Sequence, residues 1–460
     1  MILLMITLGF YSCFLLFHLL YTFIPLYTSR RSEANLPTEQ KGMSIVIPAF
    51  NEQAVIGHCL DGILRVDYGN SEVIFVDDGS ADGTFSILDA RLKLQPTSKQ
   101  RTGHLTSERI TGIFQSELYP HIWVIDKENG GKADALNAGI AFSSKELVIT
   151  LDADSILDPS SLTEMNRAFA DSSVAAAGGM VNIAQGFKRQ DRIFTPYFQL
   201  SNLIRCQVIQ YLTTFYLYKA TQSRLGSITV IAGAFGAFRR SVLLQADGYR
   251  KTVGEDMDIT LRIQQLIGTV LKGKRIVFVP EAVCYTECPA SLKSLFRQRI
   301  RWQKGFLDCF FSYKQQLFRK LNNRVSTYLL LDSLILGTLS AFPTLLIPIL
   351  LIMTMSHLKL TFLMFLISIV LAVMQNVAVL IVSKRYGHTY TFKGYLSVLC
   401  FLPIEAIGFR LTNLLFVTTG SILYLFNKEG WNNSERVGSG FSGDTDNRQH
   451  SEPLDSRRIA

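Results

Sequence analysis

A pair of carboxylates stands where it could bind a cation. Asp152 and Asp154 follow the apolar run LVITL and are separated by one residue. Side chains two residues apart at the end of a strand point to the same side, so the two carboxylates converge. A hard divalent cation such as Mg²⁺ or Mn²⁺ relieves their repulsion and also binds diphosphate oxygens. In this context the pair predicts a metal site.

A second acidic pair, Asp77 and Asp78, ends the apolar run EVIFV and is followed by Gly79 and Ser80. Asp and Ser cap helices routinely, so a capping turn is one interpretation. Two adjacent acids at the end of a buried strand are more than a cap requires, which favours contact with a nucleotide.

Two further groups have both a structural and a chemical interpretation. Gly130, Gly131 and Lys132 form either a turn with a surface lysine or a contact to a phosphate or sugar donor, and the cation near the acidic residues favours the second. Glu255 and Asp256 open a helical stretch, where acidic residues are stabilised by the helix dipole. Taken alone, this acidic pair requires no other explanation.

The motif QRIRW brings Gln298, Arg301 and Trp302 onto one face of a helix. The planar guanidinium of arginine suits phosphate oxygens, and the face of a tryptophan suits the apolar side of a sugar ring. A basic amphipathic helix on a membrane surface is the alternative interpretation. The two roles are compatible, because an apolar block begins soon after this motif.

The elements that position these residues form an α/β pattern. Apolar runs alternate with helical stretches, and runs that are apolar on both faces indicate a mostly parallel sheet covered on each side. Ligands of such sheets bind beyond the carboxyl ends of the strands, which is where both acidic pairs and Lys132 fall. The predicted strands lie within the segments 43–48, 72–80, 121–132 and 147–155. The stretch 94–120 is interpreted as an insertion without an assigned role.

Long apolar blocks flank this catalytic domain, which we place at residues 37–324. One N-terminal helix over 1–28 and about three spans over 326–427 predict a multi-pass membrane protein. Arg30 and Arg31 after the first block place the domain in the cytoplasm by the positive-inside rule. The polar tail 432–460 is predicted to be disordered.

Two membrane-related segments remain open at this stage. Residues 186–226 are predicted to form amphipathic helices against the bilayer, with a helical insertion packed on the sheet as the alternative. Glu405 and Arg410 lie in the last apolar block. That block is either an interfacial helix followed by one span or part of a polar lining for a product passage.

Composition narrows the function classes. The mean hydropathy of +0.22 is high for a soluble enzyme. The net charge of +9 suits membrane lipids and a phosphate-bearing substrate. No basic stripe interleaved with aromatic residues indicates a nucleic-acid partner. The seven scattered cysteines are typical of a reducing compartment, so neither a disulfide nor a structural metal is predicted.

Taken together, the motifs VDDGS, DAD, GED and QRIRW resemble those of processive family-2 glycosyltransferases, in the family's order. That family includes the synthases of cellulose, chitin, hyaluronan and poly-β-1,6-N-acetylglucosamine. The resemblance runs from about Gly42 to Lys304 and implies a GT-A-like nucleotide-sugar-binding domain between membrane helices. The chain lacks the FxVTxK motif of the cellulose synthase type, and its compact layout is most similar to the poly-N-acetylglucosamine, hyaluronan and chitin synthases.

The resemblance implies a role for each motif. Asp77 or Asp78 would contact the uridine of a UDP-sugar, and Asp152 and Asp154 would serve Mg²⁺ or Mn²⁺ and the donor. Asp256 would be the general base, with Glu255 at the acceptor. The remaining roles would fall to Gln298 and Arg301 at the diphosphate, Lys132 at the donor, and Trp302 beneath the acceptor sugar.

The implied reaction is inverting transfer, with N-acetylglucosamine as the expected sugar, to a growing β-linked surface polysaccharide. Export would be coupled to it, with accessory export proteins as further partners. Two alternatives stay open. One is a transferase that adds a single sugar to a lipid or lipid-linked acceptor, and the other is a transporter or scaffold with an inactive transferase domain.

Overall fold

The computed structural model describes residues 2–27, 39–190, 192–345 and 358–426. Three expectations fall wholly or partly on the other residues: the disordered tail, the Arg30–Arg31 pair and part of the predicted membrane region 326–427. They lie outside the described residues.

One mixed sheet of ten strands forms the centre of the catalytic domain. In order across the sheet the strands are β3 (Leu94–Pro96), β4 (Ile110–Ser116), β5 (Ile122–Lys127), β2 (Ser71–Asp77), β1 (Met43–Ala49), β6 (Leu147–Leu151), β11 (Phe235–Arg239), β8 (Val174–Ile183), β12 (Arg275–Thr286) and β7 (Ser155–Leu157). A separate hairpin pairs β9 (Phe187–Gln190) with β10 (Ile193–Pro196).

The four predicted strands form the parallel half of this sheet. They are β5, β2, β1 and β6, and each pairs in parallel with its neighbour. Their residues are almost completely buried, since helices or other parts of the chain cover both faces. The α/β fold with a mostly parallel sheet is therefore confirmed. All four strands end at one edge, and the acidic motifs lie there.

The strands that were not predicted explain why the sheet is mixed. Strand β11 runs antiparallel to both β6 and β8, within the stretch rich in glycine and alanine. Strands β3 and β4 add two antiparallel strands beyond β5, on the side of the sheet away from β7. The segment 94–120 therefore widens the sheet. Strand β7 follows Asp154 directly and pairs with the end of β12, which fixes the geometry of the DAD turn.

The helices lie on both sides of the sheet and beyond one of its ends. They are α1 (Ile2–Tyr27), α2 (Ile56–Ile63), α3 (Thr84–Leu92), α4 (Lys132–Phe142), α5 (Ser161–Phe169), α6 (Asn202–Thr213), α7 (Ala220–Leu225), α8 (Arg240–Gln245), α9 (Glu255–Thr269), α10 (Leu292–Tyr313), α11 (Asn323–Thr327), α12 (Leu358–Arg385), α13 (Phe392–Ile404) and α14 (Arg410–Phe426). Wider π-helical turns at 214–219, 328–339 and 405–409 continue α6 into α7, extend α11 and join α13 to α14.

The segment predicted as amphipathic helices has a different structure in its first part, where the β9–β10 hairpin lies. The helix that follows, α6–α7, packs on the sheet at β8 and β12 and on the membrane helices α1 and α12. For example, the rings of Tyr218 and Tyr21 lie 4.6 Å apart, and those of Tyr216 and Tyr386 lie 5.5 Å apart. The helix is buried between two partners because apolar residues occur around its whole circumference.

In the described part of the chain, four helices are long and apolar enough to cross a membrane. They are Gly9–Tyr27, Asn323–Leu345, Phe362–Arg385 and Phe392–Phe426. The last one is continuous, although Pro403 lies within it. This continuity differs from the interfacial helix followed by a span that we considered for this block.

The charged residues of the last block face their neighbours in the helix bundle. Glu405 is buried and accepts a hydrogen bond from Nδ2 of Asn376 at 2.9 Å, and Nε of Arg410 lies 3.9 Å from Glu405 Oε1. Arg410 also donates to Gln375 at 3.5 Å, and Gln375 donates to the carbonyl of His18 at 3.2 Å. Polar groups of these long apolar helices thus pair with one another, which joins α1, α12 and the α13–α14 helix.

We expect the substitution Glu405→Leu to lower the free energy of unfolding by roughly 1–3 kcal/mol. The amide of Asn376 would lose its buried acceptor, and Arg410 would lose the anion beside it. The apparent midpoint of thermal unfolding in detergent measures the effect. Ile407→Leu is the control, because Ile407 is 41% exposed and the exchange conserves volume. Equal midpoints for the two variants would contradict this prediction.

Candidate active site

A buried carboxylate organises the loop that carries Lys132. Both oxygens of Asp78 are engaged within the protein: Oδ1 accepts from the backbone N–H of Gly130 at 3.0 Å, and Oδ2 accepts from that of Gly131 at 2.7 Å. The ammonium of Lys127 and the amide of Asn129 also donate to this carboxylate. Asp78 therefore holds the glycine loop in place, which leaves Asp77 as the expected nucleotide contact.

Asp77 ends strand β2 and is buried, with its Oδ1 accepting from the backbone N–H of Ser80 at 3.0 Å. It lies in register with Asp126 at the end of strand β5. Burial raises the pKa of the Asp77 carboxyl, and the hydrogen bonds from Ser80 oppose that rise. The two neighbouring acids place negative charge at this end of the sheet edge.

Lys127 was not among the predicted site residues. Its ammonium is buried and forms ion pairs with Asp78 and with Asp134, the latter at 2.7 Å. Burial lowers the pKa of Lys127, but the two carboxylates outweigh it and leave the pKa raised. A lysine at the end of an otherwise apolar strand is the signal that could have revealed it, because a buried lysine requires an anionic partner.

Helix α4 begins at Lys132, and its first side chain reaches the carboxylates of two other segments. The ammonium of Lys132 lies 2.7 Å from Oδ1 of Asp152 and 3.4 Å from Oε1 of Glu255. Burial opposes the charge of Lys132, but Asp152, Glu255 and Asp256 together raise its pKa. Predicted residues from three motifs are therefore neighbours in the structure.

Gly233 lies beside Lys132 and Asp256, in the segment 230–243, which is rich in small residues. A β-carbon at Gly233 would lie 2.9 Å from Nζ of Lys132 and 3.9 Å from the β-carbon of Asp256. A larger residue would therefore push Lys132 away from the carboxylates. The position requires a glycine because of the close approach of the lysine.

The acidic turn at the start of helix α9 presents Glu255 and Asp256 to this site. Burial raises the pKa of the Glu255 carboxyl, and Lys132 opposes the rise. Oδ1 of Asp256 accepts from the backbone N–H of Met257 at 2.8 Å, and Asp256 is only half-buried. The second oxygen has no hydrogen-bond partner among the described residues, so it is placed to accept a proton from a ligand.

Asp154 lies on the other side of Asp152, where strand β7 begins. Its Oδ1 accepts from the hydroxyl of Thr286 at 3.2 Å and from that of Ser155 at 3.4 Å. Thr286 ends strand β12, and no feature of the sequence marks it as a partner of the DAD motif. The pairing of β12 with β7 brings the two together.

The donor set at this edge fits a divalent cation. Asp152 and Asp154 supply two carboxylates, and among the described residues no group of three or more His, Cys, Asp or Glu side chains could hold a metal ion. Mg²⁺ is typically bound by one or two carboxylates together with substrate phosphates and water, so a pair is sufficient. The ammonium of Lys132 contacts Asp152, which shows that a cation can reach this carboxylate.

The QRIRW motif lies on helix α10, which contacts helix α9 through two glycines. A β-carbon at Gly254 would lie 3.0 Å from the carbonyl oxygen of Gly305, and one at Gly305 would lie 3.1 Å from the α-carbon of Gly254. The backbones therefore touch one residue before Glu255 and three residues after Trp302. This contact brings the fourth motif to the acidic turn.

Four side chains of the motif have features of a ligand-binding surface. Trp302 is 43% exposed, and the guanidinium of Arg299 lies 4.2 Å from the centre of its ring. Oε1 of Gln298 is buried and accepts no hydrogen bond from the described residues. Nε and Nη2 of Arg299 are also buried, and they donate no hydrogen bond to the described residues. Arg301 is half-buried on the same helix. Buried polar atoms without partners require an explanation, and a bound ligand supplies one.

Arg299 was not singled out from the sequence, although it lies inside the motif. Burial raises the pKa of the Tyr211 phenol, and the positive charge of Arg299 opposes that rise. Burial lowers the pKa of Arg299, and neighbouring polar groups oppose that shift. Arg299 lies on helix α10, which the contact between Gly254 and Gly305 brings to the acidic turn.

Replacing Gly305 by alanine is expected to destabilise the protein by about 1–3 kcal/mol, because the methyl group would push helix α10 away from the acidic turn. The unfolding midpoint in detergent reports this change. Gly408→Ala is the matched control, since Gly408 lies in a helical segment where nothing is within 4 Å of an added β-carbon. A Gly305→Ala variant as stable as its control would show that the two backbones are not in contact.

The sequence is similar to those of known polysaccharide synthases. The poly-β-1,6-N-acetyl-D-glucosamine synthase of Staphylococcus aureus (strain COL) is 28% identical over 270 residues, which are 58% of this chain and 55% of that protein. The synthase of the same name from Staphylococcus epidermidis is 27% identical over 269 residues, which cover 58% of this chain and 54% of the relative. The chain thus aligns with about half the length of these curated relatives.

A solved structure shows the same fold. The mannosyltransferase PcManGT from Pyrobaculum calidifontis, in complex with GDP-Man and Mn²⁺, superposes with a TM-score of 0.57 at 17% identity. The match covers 93% of this chain and 98% of that one. The GT-A-like fold with flanking apolar helices is confirmed. A model for the glycosyltransferase-like family 2 matches residues 40–305, more than half of the chain, and the protein therefore belongs to that family.

Proposed function

We propose that this protein is an inverting, metal-dependent hexosyltransferase that extends a β-linked surface polysaccharide from a UDP-sugar. The observation that carries the proposal is the convergence of Lys132, Asp152, Glu255 and Asp256 at one sheet edge. The likeness to the poly-β-1,6-N-acetyl-D-glucosamine synthases supports UDP-N-acetylglucosamine as the donor.

The chain's own residues would divide the work of transfer. Asp256 would take the proton from an acceptor hydroxyl, whose oxygen attacks the anomeric carbon of the donor sugar. The bond from that carbon to the UDP oxygen breaks, and UDP leaves with the electron pair. A single in-line displacement inverts the anomeric centre, so an α-linked donor yields a β-linked product.

Binding of the donor would use the sheet edge and helix α10. Asp77 would contact the nucleotide, and Asp152 and Asp154 would hold Mg²⁺ or Mn²⁺. When bound, the divalent cation supplies positive charge that offsets the charge of the diphosphate. Gln298 and Arg301 would bind the leaving diphosphate, while Lys132 sets the position of Asp152 and Glu255.

The acceptor would lie on the tryptophan side of the site. The exposed ring of Trp302 offers a flat surface to a sugar, and the cation of Arg299 fixes the ring's orientation. Glu255 would accept a hydrogen bond from an acceptor hydroxyl. Helix α10 packs along the long apolar helix α14, so the acceptor side would lie next to the membrane part, through which the product would leave.

The proposal includes a multi-pass membrane location with the catalytic domain in the cytoplasm, where UDP-sugars are available. Export of the product and accessory export proteins belong to the same proposal. The alternative is a transferase that adds one sugar to a lipid or lipid-linked acceptor. The length of the product made by the purified enzyme separates the two, because a single added sugar excludes a polymerising synthase.

We expect release of UDP from UDP-N-acetylglucosamine when the protein in nanodiscs is tested with a panel of UDP-sugars and Mn²⁺ or Mg²⁺. Chelation of the metal should reduce the rate to background, because the diphosphate charge is then no longer offset. A preference for UDP-glucose would overturn the proposed sugar. The absence of metal-dependent release from every UDP-sugar would favour an inactive scaffold.

The substitution Asp256→Asn is expected to lower the transfer rate by roughly 10²–10⁴-fold, the contribution typical of a positioned general base. The asparagine can still accept from Met257, so the turn should persist and UDP should bind with near-normal affinity. UDP release and UDP binding by calorimetry give the two readouts. Asp61→Asn, in the exposed ion pair with Arg91, is the control. Full activity of Asp256→Asn would refute its role as the base.

A further inference from the structure

A groove of about 390 Å³ lies at the end of the first membrane helix, away from the candidate active site. It is lined by Phe23, Ile24, Tyr27 and Arg224. The first three belong to the last two turns of α1, and Arg224 lies in the last turn of α7. Its wall is therefore apolar along the membrane helix and cationic at one end.

Three chain segments show that the groove lies at the level where the membrane part meets the catalytic domain. Helix α1 ends at Tyr27 before the chain enters the catalytic domain. The membrane span that follows this domain begins at Asn323. Gly226 ends α7 in a left-handed conformation, with φ of 63°. A β-carbon there would lie 3.6 Å from Nη1 of Arg324, so the start of the second span borders the end of α7.

Two arginines at this level are exposed and have no anionic partner among the described residues. Arg224 and Arg324 form no ion pair or side-chain hydrogen bond within the described part of the chain. Many other arginines are paired: Arg239 binds Glu146 at 2.7 Å, and Arg275 binds Asp171 at 2.7 Å. Two guanidinium groups left unpaired near one groove create a local excess of positive charge.

The apolar residues beside these arginines are also exposed. Tyr27 is 86% exposed, Phe23 42% and Leu225 40%. A hydrocarbon chain would cover Phe23 and the wall of α1, while a tyrosine at the end of a membrane helix suits the headgroup region. A ligand that covers the apolar wall and also balances the charge of the two arginines must join an apolar chain to an anionic group.

We infer that this groove binds one anionic phospholipid, with its phosphate between Arg224 and Arg324 and an acyl chain along Phe23 and Ile24. Arginine matches phosphate oxygens with its planar fork, and negatively charged membrane surfaces attract basic residues at this depth. A free phosphate would leave the apolar wall exposed, and a neutral lipid would leave the charge of the arginines unbalanced. The inference does not depend on the proposed transfer activity.

Such a lipid would join α1, α7 and the second span at the point where they meet. Helix α7 continues from the segment that carries Lys219, whose ammonium donates to the carbonyl of Val230 at 2.6 Å. Val230 begins the small-residue stretch that leads to Gly233 beside Lys132. A lipid bound at the groove would thus stabilise the helix that packs beneath the catalytic sheet.

The test uses the full-length protein purified in detergent and supplemented with phosphatidylglycerol or phosphatidylcholine of the same acyl chains. Native mass spectrometry counts the retained lipids, and the unfolding midpoint measures their stabilising effect. The wild-type protein should retain one phosphatidylglycerol per chain and be stabilised more by it than by phosphatidylcholine. Equal retention and equal stabilisation by the two lipids would overturn the inference, whatever the variants do.

The double variant Arg224→Gln/Arg324→Gln should bind phosphatidylglycerol about tenfold more weakly or worse, the order expected when two basic residues at an anionic surface are lost. Its binding of phosphatidylcholine should stay unchanged. Lys93→Gln/Lys272→Gln is the control, because it removes the same charge from exposed positions of the catalytic domain. Phosphatidylglycerol binding that falls equally in both double variants would show a general charge effect and would overturn the site.

Discussion

One ammonium group holds together three distant parts of this chain. Lys132 contacts Asp152 and Glu255, which follow it by about twenty and about one hundred and twenty residues. Without a cation between them, these carboxylates and Asp256 would repel one another at the partly buried sheet edge. The lysine is positioned in turn by Asp78, whose buried carboxylate binds the two glycines that precede it. The geometry of the acidic site thus rests on a sequence of ion pairs and hydrogen bonds that starts inside the sheet.

The same site is linked to the membrane part by close backbone packing. Gly254 and Gly305 bring helix α10 against the acidic turn. Two residues before Gly305, Gln303 donates to Thr338 at 3.2 Å and to Ser421 at 3.1 Å, and Gly420 leaves the space for its side chain. Glycine contacts of this kind transmit displacement, because neither backbone can shift without moving the other. The acidic turn, helix α10 and two of the long apolar helices therefore form one packed unit.

Polar groups of the long apolar helices are also paired with one another. Glu405 binds Asn376, and Arg410 lies near both Glu405 and Gln375. These contacts turn the charged residues of the last long helix toward neighbouring helices, as expected for charged residues in a membrane-spanning helix. Arg224 and Arg324, in contrast, stay exposed at the boundary of the membrane part. Unpaired cations at that level attract anionic headgroups, which is why we assign them a role in lipid binding.

Much of the architecture could be read from local patterns. The four parallel strands were predictable because each is apolar on both faces and ends at a polar turn. The membrane helices were predictable because they are long and apolar. The antiparallel strand β11 was not, since its glycines and alanines carry no clear strand signal. Helix α6–α7 was ambiguous because it is apolar around its circumference, and only its two packing partners resolve this.

The candidate site also divides into features that the sequence determined and features that only the fold decided. By itself the sequence determined which residue types are available and in what order: two acidic pairs at strand ends, an acidic helix start and a Gln-Arg-Trp helix face. The tertiary structure decided which of them meet. It engaged both oxygens of Asp78 within the protein and joined Asp152 to Glu255 through Lys132. It also brought Thr286 to Asp154 through strand pairing. Local spacing fixes which way neighbouring side chains point, whereas contacts across a hundred residues depend on strand order and helix packing, which only the folded chain specifies.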